Sequence, residues 1–155
     1  MSDKPNVLRD TDDDARKLAR VLLRSARSGA LAVLEPEGNG FPFVSRALIG
    51  IDIDGTPVIL VSRLSTHTQA LLADRRASLL TGEPGKGDPL AHPRLTVQCE
   101  AEEVQRDSAA HGRIRERFLA AIPRLGSMWI FRISAFSAWC RCAPASMAAS
   151  AAPMR

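Results

Sequence analysis

The sequence has no tyrosine, only three cysteines and no long apolar run. An odd number of cysteines argues against a disulfide-stapled secreted scaffold. No stretch approaches the roughly 20 apolar residues that a membrane span needs. The polar start, Met1-Ser2-Asp3-Lys4-Pro5-Asn6, lacks the apolar core of a secretion signal. A strong charge of one sign is missing too: 21 basic against 17 acidic residues leave +4, spread along the chain without a block of like charges. That gives nucleic-acid binding little support. No Gly-x-Ser-x-Gly elbow, Walker loop or Gly-x-Gly-x-x-Gly fingerprint is present, so three common catalytic or nucleotide signatures drop out. What is there is an ordinary globular composition, 45% hydrophobic and 25% charged, at a length that suits one domain. The expectation is a small cytoplasmic domain that binds neither membrane nor nucleic acid.

Periodicity gives the organisation. Asp12-Asp13-Asp14 supplies acids where a helix dipole favours them, and residues 15–26 follow as a helix. Leu18, Val21, Leu22 and Ser25 share one face, the basic residues point away, and Gly29 stops the helix. The pattern then shortens to strands over 30–34, 41–53, 58–63, 76–81 and 94–104. Asp54-Gly55-Thr56-Pro57 is a tight hairpin signal, because Asp-Gly tolerates positive φ. A short helix over 66–73, capped by Ser65 or Thr66, separates the third and fourth strands, and a helix over 107–121 follows the fifth. Residues 128–136 read as a last strand, and the Ala-rich segment 142–155 as disordered. Strands in hairpin order with flanking helices predict an α+β fold built on a small antiparallel barrel.

One segment concentrates polar chemistry. In Val61-Ser62-Arg63-Leu64-Ser65-Thr66-His67-Thr68-Gln69 a strand ends and a helix begins, so free N–H groups and the dipole attract an anion. Ser45 and Arg46 on the neighbouring hairpin strand are placed to face the same spot. Hydrogen bonds to a charged partner contribute about 1.5–3 kcal/mol each, enough for four or five of them to hold a phosphate. The plainer reading is that Ser65 and Thr66 cap the helix while Arg63 and His67 meet solvent. His92 and His111 read as surface residues and Cys99 as a small core residue. Cys140-x-Cys142 is too close-spaced and isolated for zinc, so no metal site is expected.

Taken together, the chain resembles the pyridoxamine 5′-phosphate oxidase-like FMN-binding split barrels, near their heme-utilisation branch. The matching residues are Gly40-x-Pro42-x-x-Ser45, then Asp54-Gly55-x-Pro57-x-x-Leu60-x-Ser62-x-Leu64-x-x-His67-Thr68. They continue through Asp74-x-x-Ala77-Ser78-Leu79-Leu80 and Gly87-Asp88-Pro89-Leu90-x-x-Pro93-Arg94-Leu95-Thr96. The resemblance implies an antiparallel split β-barrel, a homodimer with FMN at its interface, and an oxidoreductase whose small-molecule substrate is unknown. It implies a flavin phosphate held by Ser45, Arg46, Ser62, Arg63, His67 and Thr68, with Arg94 near the flavin ring. Thr68 stands where the true oxidase has a Lys, and the residues of the vitamin substrate site are not found. Two alternatives stay open: a heme-binding or heme-degrading protein, with His92 or His111 as axial ligand, and a non-catalytic flavin binder.

The resemblance divides the chain into a barrel domain over 1–126 and an atypical segment over 127–155. Relatives continue with a strand like Leu-Tyr-x-x-Phe-x-Asp-Phe and later Asn-Gly-Gly-Phe-Gly-x-Ala. Met128-Trp129-Ile130 is encoded ATG-TGG-AT(T/C/A); read one base earlier, it forces Val-Asp and allows Tyr before it. Permitted codons then complete Leu-Tyr-Val-Asp-Phe-Pro-Asp-Phe. The run 147–155 likewise allows Asn-Gly-Gly-Phe-Gly-Arg-Ala-Tyr-Ala in the same shifted frame. The expectation is a one-base deletion near codon 122, which also accounts for the missing tyrosines; codons incompatible with those peptides would refute it.

Overall fold

A computed structural model describes residues 13–37, 39–106, 108–121, 136–139 and 146–148, with backbone alone described for the last two stretches. The first helix, α1 (Asp13–Ser25), opens on Asp13 and Asp14 and ends on Arg24, so both ends carry the charge that the dipole favours. Its buried stripe is Ala19 and Leu23, with Leu22 and Ala26 partly covered. Val21 is exposed. The stripe is therefore rotated by about one residue from the expected one, because the helix packs its small alanines closest to the sheet.

The strands are β1 (Ser28–Glu35), β2 (Phe41–Ile51), β3 (Pro57–Ser62), β4 (Arg76–Thr81) and β5 (Leu95–Glu100). Helices α2 (Thr66–Ala73) and α3 (Ala109–Ala121) lie after β3 and β5. Two short strands, β6 (Phe136–Trp139) and β7 (Ser146–Ala148), complete a sheet ordered β6-β3-β2-β1-β4-β5-β7, with every neighbouring pair antiparallel. The expected last strand over 128–136 meets β6 only at Phe136. Residues 128–135 lie outside the described residues, as do Cys140 and Cys142. β7 falls within the segment read as disordered.

Gly29 does not stop α1. It sits in β1, where a Cβ would come within 2.6 Å of the Leu80 carbonyl oxygen and 2.7 Å of Ile49 Cδ1. The helix has already ended at Ser25, and the glycine serves close strand packing. The Asp54-Gly55 turn forms as expected: Gly55 has φ +88°, and Asp52 N donates to the Thr56 carbonyl at 2.9 Å.

Strand alternation sorts the side chains to two faces. On the inner face Leu31, Val33, Ala47, Ile49, Ile59, Val61, Leu79, Leu95 and Val97 form one buried cluster with Ala70 and Leu71 of α2 and the α1 stripe. Each fully buried aliphatic side chain there contributes about 1.5–3 kcal/mol. On the outer face α3 covers only the β2–β3 part, where Ile114 and Phe118 pack on Val58, with Leu48 and Leu60 alongside. The α3 seat is locked by Asp52, 7% exposed: Arg113 Nε and Nη2 donate to its two carboxylate oxygens at 3.1 and 2.9 Å. The rest of the outer face, over β1, β4, β5 and the start of β2, carries no helix among the described residues and exposes Val44 and Leu80.

Candidate functional site

The expected anion site lies where β3 passes into α2. Ser45 has the parity of Ala47 and Ile49 and so points inward, where its Oγ meets His67 Nδ1 at 3.0 Å. His67 Nε2 is buried and has no hydrogen-bond partner among the described residues. Burial holds the imidazole below its ordinary pKa, so it is neutral at pH 7.

The corner is built from a relay of hydroxyls. Ser65 Oγ donates to the Ser62 carbonyl at 2.7 Å, and Thr68 Oγ1 lies 2.7 Å from Ser65 Oγ. Ser65 has no proton left for Thr68, so Thr68 is the donor. Ser65 is the N-cap residue, but its side chain caps no N–H. Thr68 is fully buried, with its hydroxyl committed to this relay. Ser62 Oγ accepts from Leu64 N at 3.3 Å and keeps its own proton to give.

The arginines already have partners. Arg63 Nη2 reaches Glu103 Oε1 at 3.3 Å, and the Arg63 carbonyl accepts from Gln69 Nε2 at 2.7 Å. Arg46, next to Ser45 in sequence, points to the opposite face, as strand geometry requires. Its Nη1 lies 3.2 Å from both Ser28 Oγ and Glu83 Oε1. Arg94 Nη1 donates to the Leu90 carbonyl at 3.1 Å, within the loop that joins β4 and β5. Of the seven expected residues, the structure brings Ser45 and His67 into contact. It sets Ser62, Arg63 and Thr68 at the same corner and engages Arg46 and Arg94 elsewhere.

The loop over 82–93 is pinched at its base. Gly82 has φ +106°, and a Cβ there would lie 2.5 Å from the Pro93 carbonyl oxygen. Inside the loop His92 stacks over Gly85, and its Nε2 lies 3.1 Å from the Lys86 carbonyl oxygen. Sequence reasoning missed Glu83 and Glu103, the acids that answer Arg46 and Arg63. Both pairs are solvent-exposed on the arginine side, and such pairs contribute only about 0–1 kcal/mol.

No family model matches the chain. Among curated proteins it is similar to the chloroplastic non-canonical heme oxygenase HOZ of Arabidopsis thaliana, 28% identical over 111 residues, covering 72% of this chain and 33% of that protein. One solved structure is 38% identical with a TM-score of 0.79, covering 92% of this chain and 90% of its own. A heme binding protein from Mycobacterium smegmatis is 33% identical with a TM-score of 0.68, over 87% of this chain and 52% of that one. The chain thus spans about a third of the curated relative and half of the mycobacterial protein. At the level of fold alone, an FAD-binding protein from Mesorhizobium loti is 17% identical with a TM-score of 0.63, over 81% of this chain and 87% of that one. Among the described residues no helix is long and apolar enough to cross a membrane. An α+β antiparallel barrel, the matching motif order and these relatives agree: the chain belongs to the pyridoxamine 5′-phosphate oxidase-like split-barrel family, near its heme-utilisation branch.

Proposed function

We propose that this chain binds a flat, anionic cofactor, heme first and FMN second, on the open outer face of its sheet, where a second copy completes the site. The observation that carries this reading is the unfinished outer face itself. Small or apolar side chains (Ala30, Ala32, Val44, Leu80) line it beside Arg46, and Val44 is 60% exposed. Such a surface suits a planar ring with acidic substituents and a dimer contact around it. Heme's carboxylates match arginines whose ion pairs are exposed on the arginine side, and the relatives at 28% and 33% identity are heme proteins by name. The residues on this face include no His, Cys or Met among those described, so they would hold heme by its ring and carboxylates rather than by its iron.

The flavin reading rests on Ser62, which keeps a free hydroxyl proton beside Arg63 and the start of α2. The committed hydroxyl of Thr68 and the outward turn of Arg46 count against the full phosphate grip. When bound, either group would supply redox chemistry, and the protein would position it.

Absorption spectra of the purified chain, titrated separately with hemin and with FMN, test the reading. A saturable Soret shift, weakened in Val44→Asp and in Arg46→Gln, is the expected result. A flavin shift without a Soret shift would select the second reading, and no change with either would overturn both.

A further inference from the structure

A second pocket lies away from the α2 corner, between the end of α1, the β2–β3 hairpin and α3. It has a volume of about 550 Å³, within the usual range for small-molecule sites. Its apolar surface is Ile53, 73% exposed, with the buried Ile114 and Phe118 beneath, and its rim carries Arg24, Arg27 and Arg117. Gly50 is what leaves room for the Phe118 ring, since a Cβ there would lie 2.7 Å from Phe118 Cε2.

The electrostatics of this rim differ from those of the α2 corner. Among the described residues no hydrogen bond or ion pair holds the side chains of Arg24 and Arg27. Arg117 spends only its Nε, on the Ile51 carbonyl at 3.0 Å, and both of its terminal amino groups remain. The one acid in the lining, Asp52, is already bound on both oxygens by Arg113. Nearby Asp54 has an oxygen occupied by Thr56 N at 2.9 Å. Three guanidinium groups therefore ring the pocket, whose one lining acid is already paired with Arg113.

From this we infer that the pocket is a binding site for a small anion with an apolar body, a phosphate or carboxylate on a ring or short chain. The apolar body lies against Ile53, and the acidic group meets the arginines, whose planar forks match carboxylate and phosphate oxygens. The inference is independent of the heme and flavin readings, because it uses none of the residues invoked for them.

Calorimetric titration of the full chain with 1-naphthyl phosphate tests it, alongside 1-naphthoate, 1-naphthalenemethanol and inorganic phosphate. One saturable site for 1-naphthyl phosphate is expected, with perturbed Ile53 methyl resonances. The neutral alcohol and the bare phosphate should each bind at least about tenfold more weakly, since each lacks one half of the recognition. A tighter fit for 1-naphthyl phosphate than for 1-naphthoate would assign the natural ligand to the phosphates, and the reverse to the carboxylates. The exposed double variant Arg24→Gln/Arg27→Gln should keep its thermal midpoint and weaken binding by about tenfold or more, and Arg117→Lys should retain more of the binding than Arg117→Gln. Equal affinity for the alcohol, an unchanged double variant, or no binding at all would overturn the site.

Discussion

The two faces of the sheet are treated differently by the same strands. The inner face is closed: β1 to β5 supply alternate aliphatic residues, and α1 and α2 cover them down to complete burial of Leu31, Ile49 and Leu79. Among the described residues the outer face is closed only where α3 sits, and elsewhere it shows Val44 and Leu80 to solvent. Both faces are written in one alternating sequence, so apolar content alone does not separate them. What separates them is which helices the chain provides. An inner residue is answered by helices of its own chain, whereas an outer one beyond α3 is covered by no helix among the described residues.

Substitutions on each face sharpen this contrast, and the largest effect belongs to the inner one. Leu31→Ala should cost about 2–5 kcal/mol in urea unfolding, as large-to-small changes in closed cores do. Val44→Ser, on the same pair of strands, should stay within about 0.5 kcal/mol for the monomer. Sedimentation should then show the opposite ranking, with Val44→Ser or Val44→Asp weakening self-association. Equal losses of stability at both positions would break the comparison.

Next comes the clasp that holds α3 to the outer face. Asp52→Asn leaves Arg113 without its carboxylate and should cost about 1–3 kcal/mol, less than a fully buried pair because Arg113 is partly exposed. The hydrogen bonds from Arg113 hold the Asp52 carboxyl below its ordinary pKa. The contribution is thus fully present above the unfolded value of about 4 and is lost as pH falls through the lower folded value. Urea midpoints of the two proteins should differ at neutral pH and converge in acid. A gap unchanged down to pH about 3 would show that the carboxylate is not the cause.

A smaller effect is expected at the α2 corner. Ser45→Ala removes the partner of His67 Nδ1 and should cost about 1–2 kcal/mol. Burial depresses the His67 pKa, so its neutral form stabilises the fold above about pH 6.5, and that stability declines as pH falls toward the folded value. His67→Gln should flatten this part of the pH profile. The smallest effect belongs to the exposed pair: Glu83→Gln should change stability by less than about 1 kcal/mol, while freeing Arg46 and strengthening hemin binding.

The pattern of local elements was legible in the sequence. α2 over Thr66–Ala73 and β4 over Arg76–Thr81 begin and end where periodicity and capping place them. The Asp54-Gly55 turn and the burial of Cys99 were legible for the same reason, since each depends on a few adjacent residues or one strand's alternation. The rotation of the α1 stripe was not, because it depends on which side of the helix the sheet approaches. Nor was the role of Gly29, set by strands fifty residues away at Leu80 and twenty away at Ile49. At the candidate site, polar density around His67 was readable. The pairing of Arg63 with Glu103, 40 residues on, and of Arg46 with Glu83, 37 residues on, was not, since those contacts exist only once the sheet has assembled. Alternation alone does separate Ser45 from Arg46, which meet His67 and Glu83 on opposite faces of the sheet.

The pinch at Gly82 reaches beyond its own turn. Because Gly82 lies against Pro93 and Arg94, the chain that leaves β4 returns to within van der Waals contact of its exit before β5 begins. The sheet registers only the two ends of that excursion, not its length. Loops of this closed form can be lengthened, shortened or exchanged with little entropic cost. The 82–93 segment therefore behaves as a replaceable cassette, and Glu83, the acid that tethers Arg46, rides on it. Rewriting the cassette would retune the charge beside the open face while leaving the barrel as it is.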